Sequence, residues 1–111
     1  MGEANRLEVC FEDALTAIER ERIAARLDAA LRAADCGRVT GSETFAEAQY
    51  SDIRSKVYVG VSALEAAVRA LRRELRALEV GPGTWVVQYE PQECWYEVWF
   101  LDESNPPTWG W

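Results

Sequence analysis

The chain has 111 residues, 49% of them apolar and 28% charged, which is the composition of one globular domain and not of a disordered segment. It contains no histidine, so the commonest general base, metal ligand and pH switch are all missing. With 19 acids against 12 bases the net charge is −7, which disfavours a sequence-independent grip on nucleic acid or on an anionic membrane.

A flexible lead is expected over 1–6; Leu7-Glu8-Val9-Cys10-Phe11 then alternates with period two and predicts a first strand, with Leu7, Val9 and Phe11 on one face. Thr16 and Glu19 have the spacing of a capping box and open a helix that runs to about Ala34. Ile23, Leu27, Ala30, Leu31 and Ala34 form its apolar stripe, and Gly37 is expected to supply a left-handed stop. Arg38 to Glu43 carries a weaker strand pattern. A polar middle section follows, and Ile53, Ser55, Val57, Val59 and Val61 then mark one face of a longer strand, with Tyr58 and Gly60 on the other.

The second helix has the clearest pattern. Ser62 and Glu65 suggest a capping box, and Leu64, Val68, Leu71, Leu75 and Leu78 follow at spacings of three and four. Arg69, Arg72, Arg73 and Arg76 lie largely off that stripe and read as a solvated face, with Arg69 paired to Glu65 and Glu74. Gly81-Pro82-Gly83 is expected to end the helix. Thr84 to Glu90 alternates again, with Trp85, Val87 and Tyr89 on one face. A short link leads to a fifth strand over Trp95 to Leu101, placing Trp95, Trp99 and Leu101 on one side and Tyr96, Val98 and Phe100 on the other. The prolines in 104–111 exclude that tail from a central strand.

The order β-α-β-β-α-β, plus one more strand, predicts a single α+β domain of split-βαβ (ferredoxin-like) plan. Two helices would cover one face of an antiparallel sheet, strands one and three would be central, and the added C-terminal strand would lie at the edge beside strand four. The halves Leu7 to Ala34 and Val57 to Leu78 each read strand then helix, a weak pseudo-repeat.

No stretch approaches the roughly 18 apolar residues of a membrane span, and the first residues have no apolar signal core. Gly2 invites myristoylation, but Arg6 stands where Ser or Thr is wanted. Cys10, Cys36 and Cys94 are odd in number and widely spaced, which favours reduced thiols and a cytoplasmic setting.

Candidates for chemistry are thin. Glu90 and Glu93 flank a turn and Asp102 and Glu103 are adjacent, but neither set has the spacing of a calcium loop, so no metal or other cofactor is expected. Cys36 falls at the helix end whose dipole disfavours a thiolate, and Cys94 is expected in an acidic turn. Gly81-Pro82-Gly83 follows a helix instead of opening one, unlike a phosphate loop. The open sheet face is expected to present Glu8, Cys10, Tyr58 and Gly60, a poor stacking platform for RNA. The reading is a protein without catalytic residues; a small carboxylate enzyme would need a polar cleft.

One asymmetry stands out. After Arg76 no base occurs in 35 residues, yet Glu79, Glu90, Glu93, Glu97, Asp102 and Glu103 fall there, as do all five tryptophans, Trp85, Trp95, Trp99, Trp109 and Trp111. Some of these rings must finish the core. A fifth strand apolar on both sides, however, has more surface than one small core can bury, and aromatic anchors rimmed by acids suit a basic protein partner. The residues expected to meet that partner are Glu90, Glu93, Trp95, Glu97, Trp99, Asp102, Glu103, Trp109 and Trp111.

In length, acidity, single-domain build and lack of catalytic residues the chain resembles the small cytosolic immunity proteins of bacterial polymorphic toxin systems, with Trp85 to Glu103 in the place of an inhibitory surface. That resemblance implies binding to a cognate toxin domain, often a nuclease, and blockage of its active site. The run from Leu7-Glu8-Val9 to Asp52-Ile53-Arg54 and onward also resembles short bacterial proteins of the same strand and helix order, which implies the fold only. The alternative reading is a homo-oligomeric structural or regulatory domain that pairs through the fifth-strand edge and encloses a small ligand.

Overall fold

The computed structural model describes residues 5–49, 52–90 and 92–99. Period-two alternation builds β1 (Asn5–Phe11): Leu7, Val9 and Phe11 are buried in the main core, while Glu8 and Cys10 point to the opposite face. α1 (Ala17–Ala33) starts with the expected reciprocal box. The Thr16 hydroxyl accepts from the Glu19 N–H (3.1 Å), and the Glu19 carboxylate accepts from the Thr16 N–H (2.9 Å). Leu27 and Leu31 are fully buried and Ile23 packs beside them, whereas Ala34 is exposed.

The helix stop differs from expectation. Asp35, not Gly37, takes the left-handed conformation (φ 53°). The Cys36 N–H donates to the Leu31 carbonyl (3.1 Å) and the Asp35 N–H to the Arg32 carbonyl (3.0 Å), a Schellman closure. Gly37 already belongs to β2 (Gly37–Gln49), where a Cβ would stand 2.5 Å from the Gly60 carbonyl oxygen, so glycine serves close strand approach there.

β2 also runs through the polar section that carried no strand signal. It pairs only with β3 among the described residues, and an outer strand needs no apolar alternation. Its register slips between Val39 and Gly41 and again between Thr44 and Gln49, as bulged edges do.

β3 (Ile53–Val61) turns Ser55, Val57, Val59 and Val61 toward the helices. Ser55 is buried yet satisfied, since its hydroxyl donates to the Asp13 carbonyl (2.7 Å) and accepts from the Leu15 N–H (2.9 Å), tying down the β1–α1 loop. Ile53 departs from the expected stripe and packs with Cys10 and Val87 on the far face, at the end where the β2 register is irregular.

α2 (Leu64–Ala77) buries Ala67, Val68, Ala70, Leu71 and Leu75. Its N-cap is Ala63, with no side-chain cap, so the Ser62–Glu65 box does not form; the Ser62 N–H instead donates to the Cys36 carbonyl (3.0 Å). The arginine row is split as well. Arg69 and Arg73 are exposed, but Arg72 is only 3% exposed, and Arg76 donates to the Val98 carbonyl (2.7 Å). Glu74 pairs with Arg26 of α1 (2.7 Å) and so links the two helices. Glu79, at φ 58°, ends α2 ahead of the glycines, with Val80 N–H donating to the Leu75 carbonyl (3.3 Å). Gly81-Pro82-Gly83 forms only the following turn, closed by Thr84 N–H on the Gly81 carbonyl (3.3 Å).

β4 (Trp85–Gln88) and β5 (Cys94–Glu97) are shorter than their sequence patterns. The five-stranded sheet has the order β2-β3-β1-β4-β5, and every neighbouring pair is antiparallel. Its helix-side face and the two helices enclose one aliphatic core, an α+β architecture with β5 outside β4 as expected. No helix among the described residues is long and apolar enough to cross a membrane.

Candidate functional site

The face of the sheet away from the helices can be read rung by rung from the strand register, because directly opposed residues share a face. One rung runs Gly41, Tyr58, Glu8, Val87, Trp95 across all five strands. The next runs Glu43, Lys56, Cys10, Trp85, Glu97. On the other side of the first rung lie Arg38, Gly60 and Arg6. Glu8, Cys10, Tyr58 and Gly60 are thus where the alternation places them, and the flanking strands supply the rest.

The β3–β1 part of this face is closed on itself. The Lys56 ammonium lies 2.7 Å from a Glu8 carboxylate oxygen, 5.8 Å from the Tyr89 ring centroid and 5.9 Å from that of Phe45. Burial pulls the Lys56 pKa down, but the hydrogen bond and charge of Glu8, with Cys10 and Tyr89, outweigh it and hold the ammonium above its ordinary value. Burial, then the Glu43 and Glu8 charges, raises the Tyr58 phenol. Lys56 is the chain's only lysine and sits at an outward position of an inner strand; that oddity was the sequence signal that could have marked it.

The β4–β5 part is different. Trp85 and Trp95, diagonal neighbours across the hairpin, meet edge to face with ring centroids 5.8 Å apart and planes at 77°. Both are half-buried. The Trp95 indole N–H donates to the Glu93 carboxylate (2.6 Å), which fixes the ring's orientation. Glu97 is exposed, opposite Trp85 in register and two residues beyond Trp95 on the same face. Trp85 opens the run compared with an inhibitory surface but is not among the residues expected to meet a partner, since alternation alone cannot say which side of β4 meets the helices.

The other expected residues are dispersed. Glu90 is exposed in the β4–β5 link, its carbonyl accepting from the Gln88 amide (3.2 Å). Trp99 does not share a face with Trp95: the strand ends at Glu97, Val98 is buried against the helix-side core, and the Trp99 indole N–H donates to the Val80 carbonyl (3.0 Å) beyond α2. Trp99 remains 47% exposed. Asp102, Glu103, Trp109 and Trp111 lie outside the described residues, as do Phe100 and Leu101.

All three thiols are free and buried. Burial pushes Cys10 up to about 12, against a partial offset from Lys56, and burial followed by the Asp35 charge raises Cys36. Cys94, expected in an acidic turn, is instead the buried first residue of β5. Among the described residues no group of three or more acids and thiols could hold a metal ion.

Comparison with protein-family models, with curated proteins and with solved structures finds no match for the chain.

Proposed function

We propose that the protein is a non-enzymatic binding protein that neutralises a basic protein partner in the bacterial cytoplasm, as an immunity protein blocks a cognate toxin domain. A nuclease, whose substrate-binding cleft is itself cationic, is the toxin class that fits best. The order β2-β3-β1-β4-β5 supports a ferredoxin-like plan with one added edge strand as the scaffold of this surface. One observation carries the reading: the half-buried Trp85–Trp95 pair, flanked by Glu93 and Glu97, lies on a sheet face over which no helix packs among the described residues. Aromatic anchors within an acidic rim give a partner both slow dissociation and electrostatic steering.

The test is to recover the partner from the native host, identify it, and follow association by stopped flow at two salt concentrations. A basic protein should bind about tenfold more slowly to the Glu93→Lys, Glu97→Lys double variant at low salt, with the gap narrowing at high salt. An acidic partner, or a rate unchanged by the double reversal, overturns the reading. The competing reading, a homo-oligomer, is favoured by the open outer edge of β5, which pairs only with β4 among the described residues. Light scattering over a concentration series decides it, since an oligomer would rise in mass while a binding protein of the first kind stays monomeric.

A further inference from the structure

We infer that the Trp85–Trp95–Glu97 corner is a recognition site for one arginine side chain of the partner. This rests on the reading above, that the β4–β5 end of the open face meets a basic protein. The Trp95 ring is held in place from two directions, by its indole hydrogen bond to Glu93 (2.6 Å) and by the edge-to-face contact with Trp85 at 5.8 Å. A held indole presents a preformed π surface, and little side-chain freedom remains to be lost on binding. Glu97 stands on the same face, opposite Trp85 in register and two residues from Trp95, and its side chain is exposed. A cation stacked on the indole can therefore meet an acceptor at its edge.

Among the described residues no basic side chain stacks on the Trp95 ring. Lys56 shares the Trp85 rung with Cys10 between them, and its ammonium is engaged by Glu8 at 2.7 Å and lies 5.8 Å from the Tyr89 ring. No basic residue follows Arg76. Arg6 and Arg38 lie on the rung beyond Glu8 and Tyr58, at the other end of the face. The half-buried Trp95 ring and the exposed Glu97 together suit an external cation.

Guanidinium fits better than ammonium. It is planar, weakly hydrated and carries a fork of N–H donors, so it can stack on an indole and pair with a carboxylate in the same pose. Two rings at 77° make a corner and not the multi-walled cage that suits a quaternary ammonium. A nucleobase could stack there too, but its phosphates would face Glu93 and Glu97.

The experiment titrates the full-length isotope-labelled chain with the blocked tripeptide Gly-Arg-Gly and its lysine and citrulline counterparts, following the indole N–H signals. The arginine peptide should shift the Trp85 and Trp95 signals saturably and leave the Trp99 signal in place. The lysine peptide should bind about fivefold more weakly, and neutral citrulline weaker still. Glu97→Gln, with its amide spectrum otherwise superimposable, should lose about fivefold in affinity for the arginine peptide. Equal binding of all three peptides, a shift confined to Trp99, or unchanged affinity in Glu97→Gln overturns the inference. If that happens while a basic partner still associates more slowly with the double reversal, only the arginine site falls. If arginine selectivity holds but no basic partner exists, the broader reading falls instead.

Discussion

The two faces of this sheet are made by alternate residues of the same strands and are built from different materials. Toward the helices stand Leu7, Val9, Val57, Val59, Val61 and Val86, aliphatic and essentially without solvent contact. Away from them stand Glu8, Lys56, Tyr58, Trp85 and Trp95, charged or aromatic and mostly half-exposed, around a small buried cluster of Cys10, Ile53 and Val87. Aliphatic side chains are of use only when covered, whereas Trp, Tyr and paired charges tolerate water and can still be buried by a partner. The difference gives the covered face the main share of stability and is what the proposed recognition by the other face would need, so substitutions on the two faces should differ in what they change.

The largest effect should come from the covered face. Leu71 on α2 is completely buried among residues of both helices and the sheet. Leu71→Ala should cost about 3–4 kcal/mol, the sum of lost transfer energy and the cavity left behind. Urea unfolding measures it, and a loss below about 1 kcal/mol would show that the covered face does not carry the fold.

Next comes the ion pair, where the open face contributes to stability after all. Lys56→Ala strands Glu8 in a half-buried position and should cost about 2–3 kcal/mol, whereas replacing both partners with apolar residues should be nearly neutral. The pair also sets an alkaline limit. The folded pKa of Lys56 is raised above 10.5, so the folded state holds a proton that the unfolded chain releases. The pair's contribution is complete below 10.5 and disappears as pH rises through the folded value. Cys10 acts in the same direction and earlier, because its unfolded thiol ionises from 9.0 while the buried one waits until about 12. Stability should therefore fall progressively above pH 9.0, and Cys10→Ala should flatten the first part of that fall.

Trp95→Ala gives the sharpest comparison with Leu71. An indole is far larger than an isobutyl group, yet Trp95 is half-buried and much of its surface already meets water. Its removal should cost only about 1–2 kcal/mol, including the edge-to-face contact with Trp85. The same variant should raise the dissociation rate of a bound partner by more than tenfold if Trp95 is an anchor. A stability loss as large as that of Leu71→Ala would make the ring part of the core and would erase the distinction between the faces.

How far the fold could be read in advance follows from which residues had a repeating pattern. β1, β3 and α2 touch the core along their length, so their periods of two and of three to four name most of the buried residues; Ile53 faces the other way, Leu64 and Leu78 are only half-buried, and Ala67, Ala70, Arg72 and Lys56 are buried outside the expected stripes. β2 and β5 are outer strands with little core contact, and their bounds were misjudged in opposite directions: one extends through polar residues, the other stops at Glu97 despite an apolar continuation. The reason is tertiary. Arg76 takes the Val98 carbonyl and Val80 takes the Trp99 indole, which draws the chain off the sheet toward α2. Of the candidate site, the grouping of Glu93, Trp95 and Glu97 was visible as local spacing. The cross-strand neighbours Trp85 and Lys56 needed a register, which composition and period do not contain.

The smallest effect should leave both faces untouched. The two helices end alike, each with an acid in the left-handed region, Asp35 at φ 53° and Glu79 at φ 58°. Aspartate is a tolerated occupant of that region because its short side chain bonds locally, whereas glutamate gains nothing there and carries the full Cβ penalty. Glu79 also puts a negative charge against the C-terminal end of α2, where the helix dipole disfavours it. Glu79→Gly relieves both, offset by the greater freedom of glycine in the unfolded chain, and should stabilise the protein by about 0.5–1 kcal/mol. Asp35→Gly should gain less. Because neither position lies on the sheet, partner association should be unchanged by either substitution. Thermal unfolding of both variants checks the order, and a slower association with Glu79→Gly would mean that the acidic surface reaches beyond β4 and β5 to the end of α2.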